Sequence, residues 1–105
     1  MSMNGSYQGQ DTYISQDHHS FVKENFRMLG NFIEEKVRLG QLPKNAHVLD
    51  IGCATGALIA YLSVRFPKFC FRGLDPAEEL LVIAKEKLPN IDFDTGSAER
   101  LCEIY

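Results

Sequence analysis

The 105-residue chain has no apolar run approaching the roughly 20 residues that a membrane-spanning helix needs. Its longest candidate, residues 57–64, is far too short, so no transmembrane helix is expected. Basic blocks are missing as well: 11 Lys and Arg are scattered among 14 Asp and Glu, for a net charge of −3. Neither nucleic acid nor an anionic membrane has an electrostatic footprint here. Cysteine is scarce and odd in number, and Cys53, Cys70 and Cys102 show no C-x-x-C spacing. Neither a disulfide framework nor a zinc site is indicated, and reduced thiols in a cytoplasmic setting are the expectation. Residues 1–10 are polar and lack the basic and apolar regions of a secretory signal.

What is present is the composition of an ordinary globular domain, 45% apolar and 24% charged. Residues 1–19 read as a flexible N-terminal segment and 20–105 as one domain without repeats. Val22, Phe26, Leu29, Ile33 and Val37 recur at intervals of three and four, with Phe21, Met28 and Phe32 broadening the stripe. This periodicity predicts an amphipathic helix over 20–39, ended by Gly40 and Pro43. An apolar strand over 48–51 follows, then a helix marked by Leu58, Ile59, Leu62 and Phe66 that stops before Pro67. A second strand is expected over 69–74. Asp75 and Pro76 read as cap and first residue of a third helix, with Glu78 and Glu79 at its positive end. That helix ends before Pro89, and a third strand over 91–94, a turn at 95–97 and the start of another helix at Ala98 close the chain. Strands alternating with helices imply a parallel sheet with right-handed crossovers. The fold class is therefore α/β, a Rossmann-like doubly wound parallel sheet. It is incomplete, with three strands, flanking helices and a preceding N-terminal helix.

The most informative segment is His-Val-Leu-Asp-Ile-Gly-Cys-Ala-Thr-Gly-Ala-Leu at 47–58. An apolar strand suited to burial on both faces ends in a glycine-punctuated turn that opens into a helix whose free N–H groups face the turn. In a doubly wound sheet the ligand sits beyond the carboxyl ends of the strands. Three elements converge there: the loop 52–56, Asp75 at the end of the second strand, and Ser97-Ala98-Glu99 after the third. Asp75 lies 19 residues beyond Gly56, close to the spacing at which a dinucleotide fold places its ribose-binding carboxylate. It reads equally as a mere helix cap, and the glycine loop upstream favours ribose. Asp50 serves a ligand directly or orders the loop by accepting its N–H groups. Cys53 reads as a small residue filling the turn, without chemistry of its own. The dinucleotide fingerprint G-x-G-x-x-G is absent, since Gly52 is followed by Cys-Ala-Thr-Gly-Ala. A nicotinamide or flavin enzyme is thereby disfavoured, and a ligand without phosphates fits better.

The run Val48-Leu49-Asp50-Ile51-Gly52-Cys53-Ala54-Thr55-Gly56 resembles the first motif of class I S-adenosylmethionine-dependent methyltransferases. Gly73-Leu74-Asp75 with the following helix resembles that family's ribose-binding strand end, and 96–101 its adenine-contacting segment. The resemblance implies S-adenosylmethionine as cofactor. The backbone of Gly52, Cys53, Ala54 and Gly56 would wrap its methionine part, with Asp50 near by. Asp75 would bind the ribose hydroxyls, Pro76 would lie beneath the adenine, and Ser97, Ala98 and Glu99 would meet the adenine edge. Two positions depart from the family pattern: Ala54 stands where glycine is more frequent, and Ser97 where aspartate is common. The N-terminal segment of such enzymes can close over the site, which makes Tyr13 and His18 lid candidates. The plainer reading of His18 and His19 is capping chemistry beside Asp17 and Ser20, and that of His47 is an exposed strand start.

The resemblance further implies a sheet with more strands than three, in which the first strand is central. In this chain the far side of the strand 48–51 would be an open edge that invites a partner chain or a second copy. The expected function is methyl transfer from S-adenosylmethionine to a small-molecule acceptor, with this chain as the cofactor-binding half. No catalytic residue and no metal ligand is nominated. The alternative is a non-catalytic cofactor-binding or interaction module that works through a partner.

Overall fold

The computed structural model describes residues 11–101, with side chains from Val22 onward except that of Arg100. The order is helix α1 (Asp11–Arg38), strand β1 (His47–Ile51), α2 (Ala57–Arg65), β2 (Cys70–Asp75), α3 (Glu78–Lys87) and β3 (Asp92–Thr95), then a 3₁₀ turn at Ala98–Arg100. All strands are parallel, in the order β1-β2-β3, so β1 is an edge of the described sheet. Strand and helix alternate as the hydrophobic pattern requires.

Register decides which side of the sheet is covered. Val48 is opposite Phe71, Asp50 opposite Gly73, and Gly73 opposite Phe93. Partners in a parallel ladder face the same way, so these residues share one side. There Phe71 and Phe93 join Cys53, Ile59, Leu62, Leu81 and Ala84 in one buried cluster, with Ile33 of α1 packed against it. All three helices thus lie on this face. The other face carries Leu49 and Ile51, 37% and 47% exposed, beside Leu74, which is fully buried. Arg72 on that face lies 3.5 Å from Asp94 and 3.8 Å from Asp92. The described residues supply one of the two helical layers of a doubly wound sheet.

Several boundaries differ from expectation for identifiable reasons. α1 begins at Asp11 and not at Ser20, because no Pro or Gly between them interrupts a helix. α3 begins at Glu78 and not at Pro76, because Asp75 stays in the sheet: its carbonyl accepts the Gly96 N–H at 3.1 Å. The predicted stripe of α1 splits in two. Val22, Phe26, Ile33 and Val37 are half-buried, whereas Leu29, Met28 and Phe32 are exposed.

α2 is clamped to α1 by one side chain. Arg65 donates to Asn31 Oδ1 at 2.7 Å, Glu34 Oε1 at 3.0 Å, the Tyr61 hydroxyl at 3.2 Å and the Arg27 carbonyl at 3.3 Å. Phe26 and Tyr61 meet beside it, with ring centroids 5.9 Å apart.

Candidate cofactor site

The loop between β1 and α2 is laid across the end of β2 by a short ladder of hydrogen bonds. The Leu74 carbonyl accepts both the Gly52 N–H at 2.7 Å and the Cys53 N–H at 3.1 Å. One residue further, the Ala54 N–H donates to Asp75 Oδ2 at 2.9 Å. The Gly56 N–H then turns back to the Cys53 carbonyl at 2.9 Å, and α2 starts.

Such a tight reversal demands left-handed backbone, and three of the five loop residues adopt it: Gly52 at φ 79°, Ala54 at 52° and Gly56 at 83°. Ala54 is the one non-glycine residue with positive φ among the described residues. Its Cβ pays the left-handed penalty of roughly 1–2 kcal/mol that glycine escapes. Gly56 is constrained by space as well. A Cβ there would come within 3.3 Å of Leu88 and 3.4 Å of Ala84.

Asp75 is the centre of the arrangement. It is buried, 7% exposed, and its two oxygens face opposite elements. Oδ2 holds the loop through Ala54, while Oδ1 accepts the Ala77 N–H at 2.9 Å and so holds the entry to α3. Its capping differs from the expected form, since the side chain braces the residue before the helix and α3 itself has no side-chain cap. A carboxylate has about four acceptor positions. Two are therefore spoken for by the fold, and two remain.

Asp50 is half-buried on the same side of the sheet, and its carboxyl pKa is raised, first by burial and then by the negative charge of Asp75. No hydrogen-bond donor among the described residues meets it. Loop ordering through Asp50 is therefore not seen, and that task falls to Asp75. Cys53 is 5% exposed, and burial above all, then Asp50 and Asp75, pushes its thiol up to about 11. It is a neutral filler at physiological pH.

The Gly96 N–H bond to the Asp75 carbonyl brings the third segment to the same corner. Ser97 is half-buried and Glu99 exposed, and a hydrogen bond from Ser97 lowers the carboxyl pKa of Glu99. Pro76 is exposed at the turn between Asp75 and α3. Loop, strand end and third segment thus converge, as the topology predicted. His47 is exposed at the opposite end of β1. The side chains of Tyr13 and His18, and the whole of Cys102, lie outside the described residues.

Gly73, named above only as part of the strand-end motif, also has a packing role. A Cβ on it would sit 2.5 Å from Phe93 and 2.7 Å from Cys53 Sγ. Its absence lets the loop thiol and the β3 ring close on the sheet. An isolated glycine inside an apolar strand is the signal for such an approach.

The model of the methyltransferase domain family matches residues 48–103, which include every element of this corner. The chain belongs to the class I S-adenosylmethionine-dependent methyltransferases. It is 40% identical over 57 residues to a trans-aconitate 2-methyltransferase of Deinococcus radiodurans, an overlap of 53% of this chain and 22% of that protein. It is 31% identical over 85 residues to a carboxy-S-adenosyl-L-methionine synthase of Campylobacter jejuni, covering 80% of this chain and 34% of that one. Among solved structures, the plantazolicin methyltransferase BamL, in complex with a triazolic desmethylPZN analogue and S-adenosylhomocysteine, superposes with a TM-score of 0.68. That match covers 95% of this chain and 38% of BamL at 24% identity, a likeness of fold. The chain thus spans between about a fifth and a third of the length of these two curated relatives.

Among the described residues no helix is long and apolar enough to cross a membrane, and no cluster of His, Cys, Asp and Glu is arranged to hold a metal ion.

Proposed function

We propose that this chain is the S-adenosylmethionine-binding part of a cytoplasmic methyltransferase acting on a small-molecule acceptor. The observation that carries the reading is Asp75. It is a buried carboxylate tied by one oxygen to a left-handed loop and by the other to a helix entry, with acceptor capacity to spare for two adjacent hydroxyls.

The charges around it suit the same cofactor, which carries a sulfonium, an ammonium and a carboxylate. Asp50 and Asp75 offer negative charge at one end of the loop. At the other, the N–H groups of the first turn of α2 have no intrahelical acceptor, and neither an acidic residue nor a side-chain cap occupies them. A methionine carboxylate fits there, along the backbone of Gly52, Cys53, Ala54 and Gly56, while Pro76, Ser97, Ala98 and Glu99 border the adenine. Bound there, the cofactor supplies an electrophilic methyl carbon for in-line displacement. The chain's own contribution is to hold it oriented, the kind of positioning that can remove much of a barrier.

The relatives differ in what their names say they make or modify, so the acceptor is proposed only as a small molecule. A second reading, a non-catalytic cofactor-binding module completed by a partner, is favoured by the edge position of β1 and by the exposure of Leu49 and Ile51. In either reading, further polypeptide pairs with this edge: more of the same enzyme, a second copy or another chain.

Titration calorimetry with S-adenosylhomocysteine tests the shared core of both readings. Binding that Asp75→Ala abolishes is the expected result, with NAD giving no heat. A folded chain that binds no S-adenosylhomocysteine would sink both. Methyl transfer by the chain alone would then separate enzyme from module.

A further inference from the structure

Helix α1 has two apolar faces, and the body of the protein uses one. Val22, Phe26, Ile33 and Val37 are half-buried and Gly30 is buried along the inner face. A Cβ on Gly30 would run into the Arg65 guanidinium, so the clamp from α2 lies directly over this glycine. On the outer face Met28 and Phe32 are each 58% exposed and Leu39 is 51% exposed, with Leu29 on the flank at 37%.

These outer residues are not scattered. Positions 25, 28, 32, 35 and 39 alternate spacings of three and four, the repeat of a coiled-coil seam. Apolar residues hold three of the five, and Asn25 and Glu35 hold the others. The flank on one side carries Glu24, Asn31 and Arg38, and the other carries Leu29 and Lys36. Lys36 lies 5.1 Å from the Phe32 ring centre, so its stem already shields part of the seam.

We propose that a second copy of this chain packs its α1 antiparallel on this outer seam, about a twofold axis at residue 30. Along the seam itself, position numbers that sum to 60 then face each other. Met28 of each copy meets Phe32 of the other and Asn25 meets Glu35, while on one flank, where facing numbers sum to 58, Leu29 approaches its own equivalent. Charge selects this arrangement and this occupant. On the flank where facing numbers sum to 62, Glu24 of each copy faces Arg38 of the other, twice by symmetry, whereas a parallel pair joins opposite flanks and would set Glu24 against Leu29 and Asn31 against Lys36, with no ion pair. The same two side chains make exposed intrahelical pairs, Glu24 with Arg27 and Arg38 with Glu35, so each already lies at the helix surface beside an opposite charge. The contact is a small one, four turns of helix, and its dimer belongs to the weak, concentration-dependent class. It lies on the helical side of the molecule and leaves the loop 52–56 and the β1 edge untouched.

Sedimentation velocity over a concentration series of the full chain tests this. A reversible dimer is expected, and Phe32→Glu should raise its dissociation constant roughly tenfold or more while the far-UV spectrum stays unchanged. Glu24→Arg should weaken it by roughly threefold, and adding Arg38→Glu to that variant should restore it. The charge swap remains decisive even if Phe32→Glu disturbs folding, since both positions are surface-exposed. A chain that is monomeric at every concentration overturns the proposal. So does association that ignores Phe32→Glu and the charge swap, which would move the contact to the β1 edge.

Discussion

Replacing Asp75 by Asn separates what the fold requires of this residue from what a cofactor requires. The amide is nearly isosteric, yet it offers one acceptor where the carboxylate offers two. Whichever way it is turned, its NH₂ group faces one of two N–H donors, that of Ala54 or that of Ala77. One charge-assisted hydrogen bond is lost, an interaction of about 1.5–3 kcal/mol, and a donor is left without a partner. Both donors belong to half-buried residues that water can partly reach, which places the expected loss near 2 kcal/mol. With a urea m-value of about 1–3 kcal/mol/M for a chain of this size, the unfolding midpoint should fall by about 1 M in ligand-free protein. Amide hydrogen exchange should show which tie is given up, with faster exchange at Ala54 if the loop loosens or at Ala77 if the helix entry does. A ligand-free midpoint unchanged within about 0.2 M would refute the reasoning. Asp75 would then be no structural tie, and any loss of S-adenosylhomocysteine binding would have to come from direct contact alone.

Three further outcomes are expected. Ala54→Gly should stabilise the ligand-free chain by about 0.5–1 kcal/mol in urea unfolding, because release from left-handed strain of roughly 1–2 kcal/mol outweighs the added freedom of the unfolded chain; destabilisation would contradict it. Gly73→Ala should cost about 1–3 kcal/mol, since its methyl meets the buried Phe93 ring and the Cys53 thiol, and adding Phe93→Leu should recover part of that in a double-mutant cycle. Asp50, whose folded pKa is raised, binds its proton more readily in the folded chain than in the unfolded one, so its ionisation costs stability progressively from about pH 3.8 up through the folded pKa. Asp50→Asn should therefore raise stability at neutral pH and change little below the unfolded value, and an equal effect at pH 3 and pH 7 would count against it.

Much of the corner was legible because its signals are local. A glycine-spaced turn after an apolar strand and an acid at the next strand end require no knowledge of distant contacts, and the parallel sheet followed from the alternation of elements. The double tie of Asp75 was not legible, because a cap and a loop brace use the same carboxylate and differ only in where the helix starts. That start moved from Pro76 to Glu78 when the Asp75 carbonyl remained in the sheet with Gly96. The seam of α1 was hidden for another reason. Its residues fall at coiled-coil spacing and the inner face at ordinary helical spacing, and the two patterns overlap into one broad stripe when only sequence is read. Accessibility separates Met28 and Phe32 from Ile33 and Val37, and periodicity cannot.

β1 shows why the cofactor is easier to read than the reaction. Val48 and Asp50 look toward the helices, and Leu49 and Ile51 look the other way, into the half-exposed face. A strand apolar on both sides belongs inside a sheet that is covered twice. The residues proposed to wrap a cofactor are the loop and strand ends on the covered half, fixed by hydrogen bonds that the chain makes within itself. Whatever lies over Leu49, Ile51 and the free edge of β1 would complete the far wall of the same cleft, and that wall is where an acceptor would be chosen. Cofactor affinity and acceptor selectivity should therefore be separable in this protein: substitutions at Asp75 or Ala54 should alter the first in the chain alone, while the second should respond only in an assembly that covers β1.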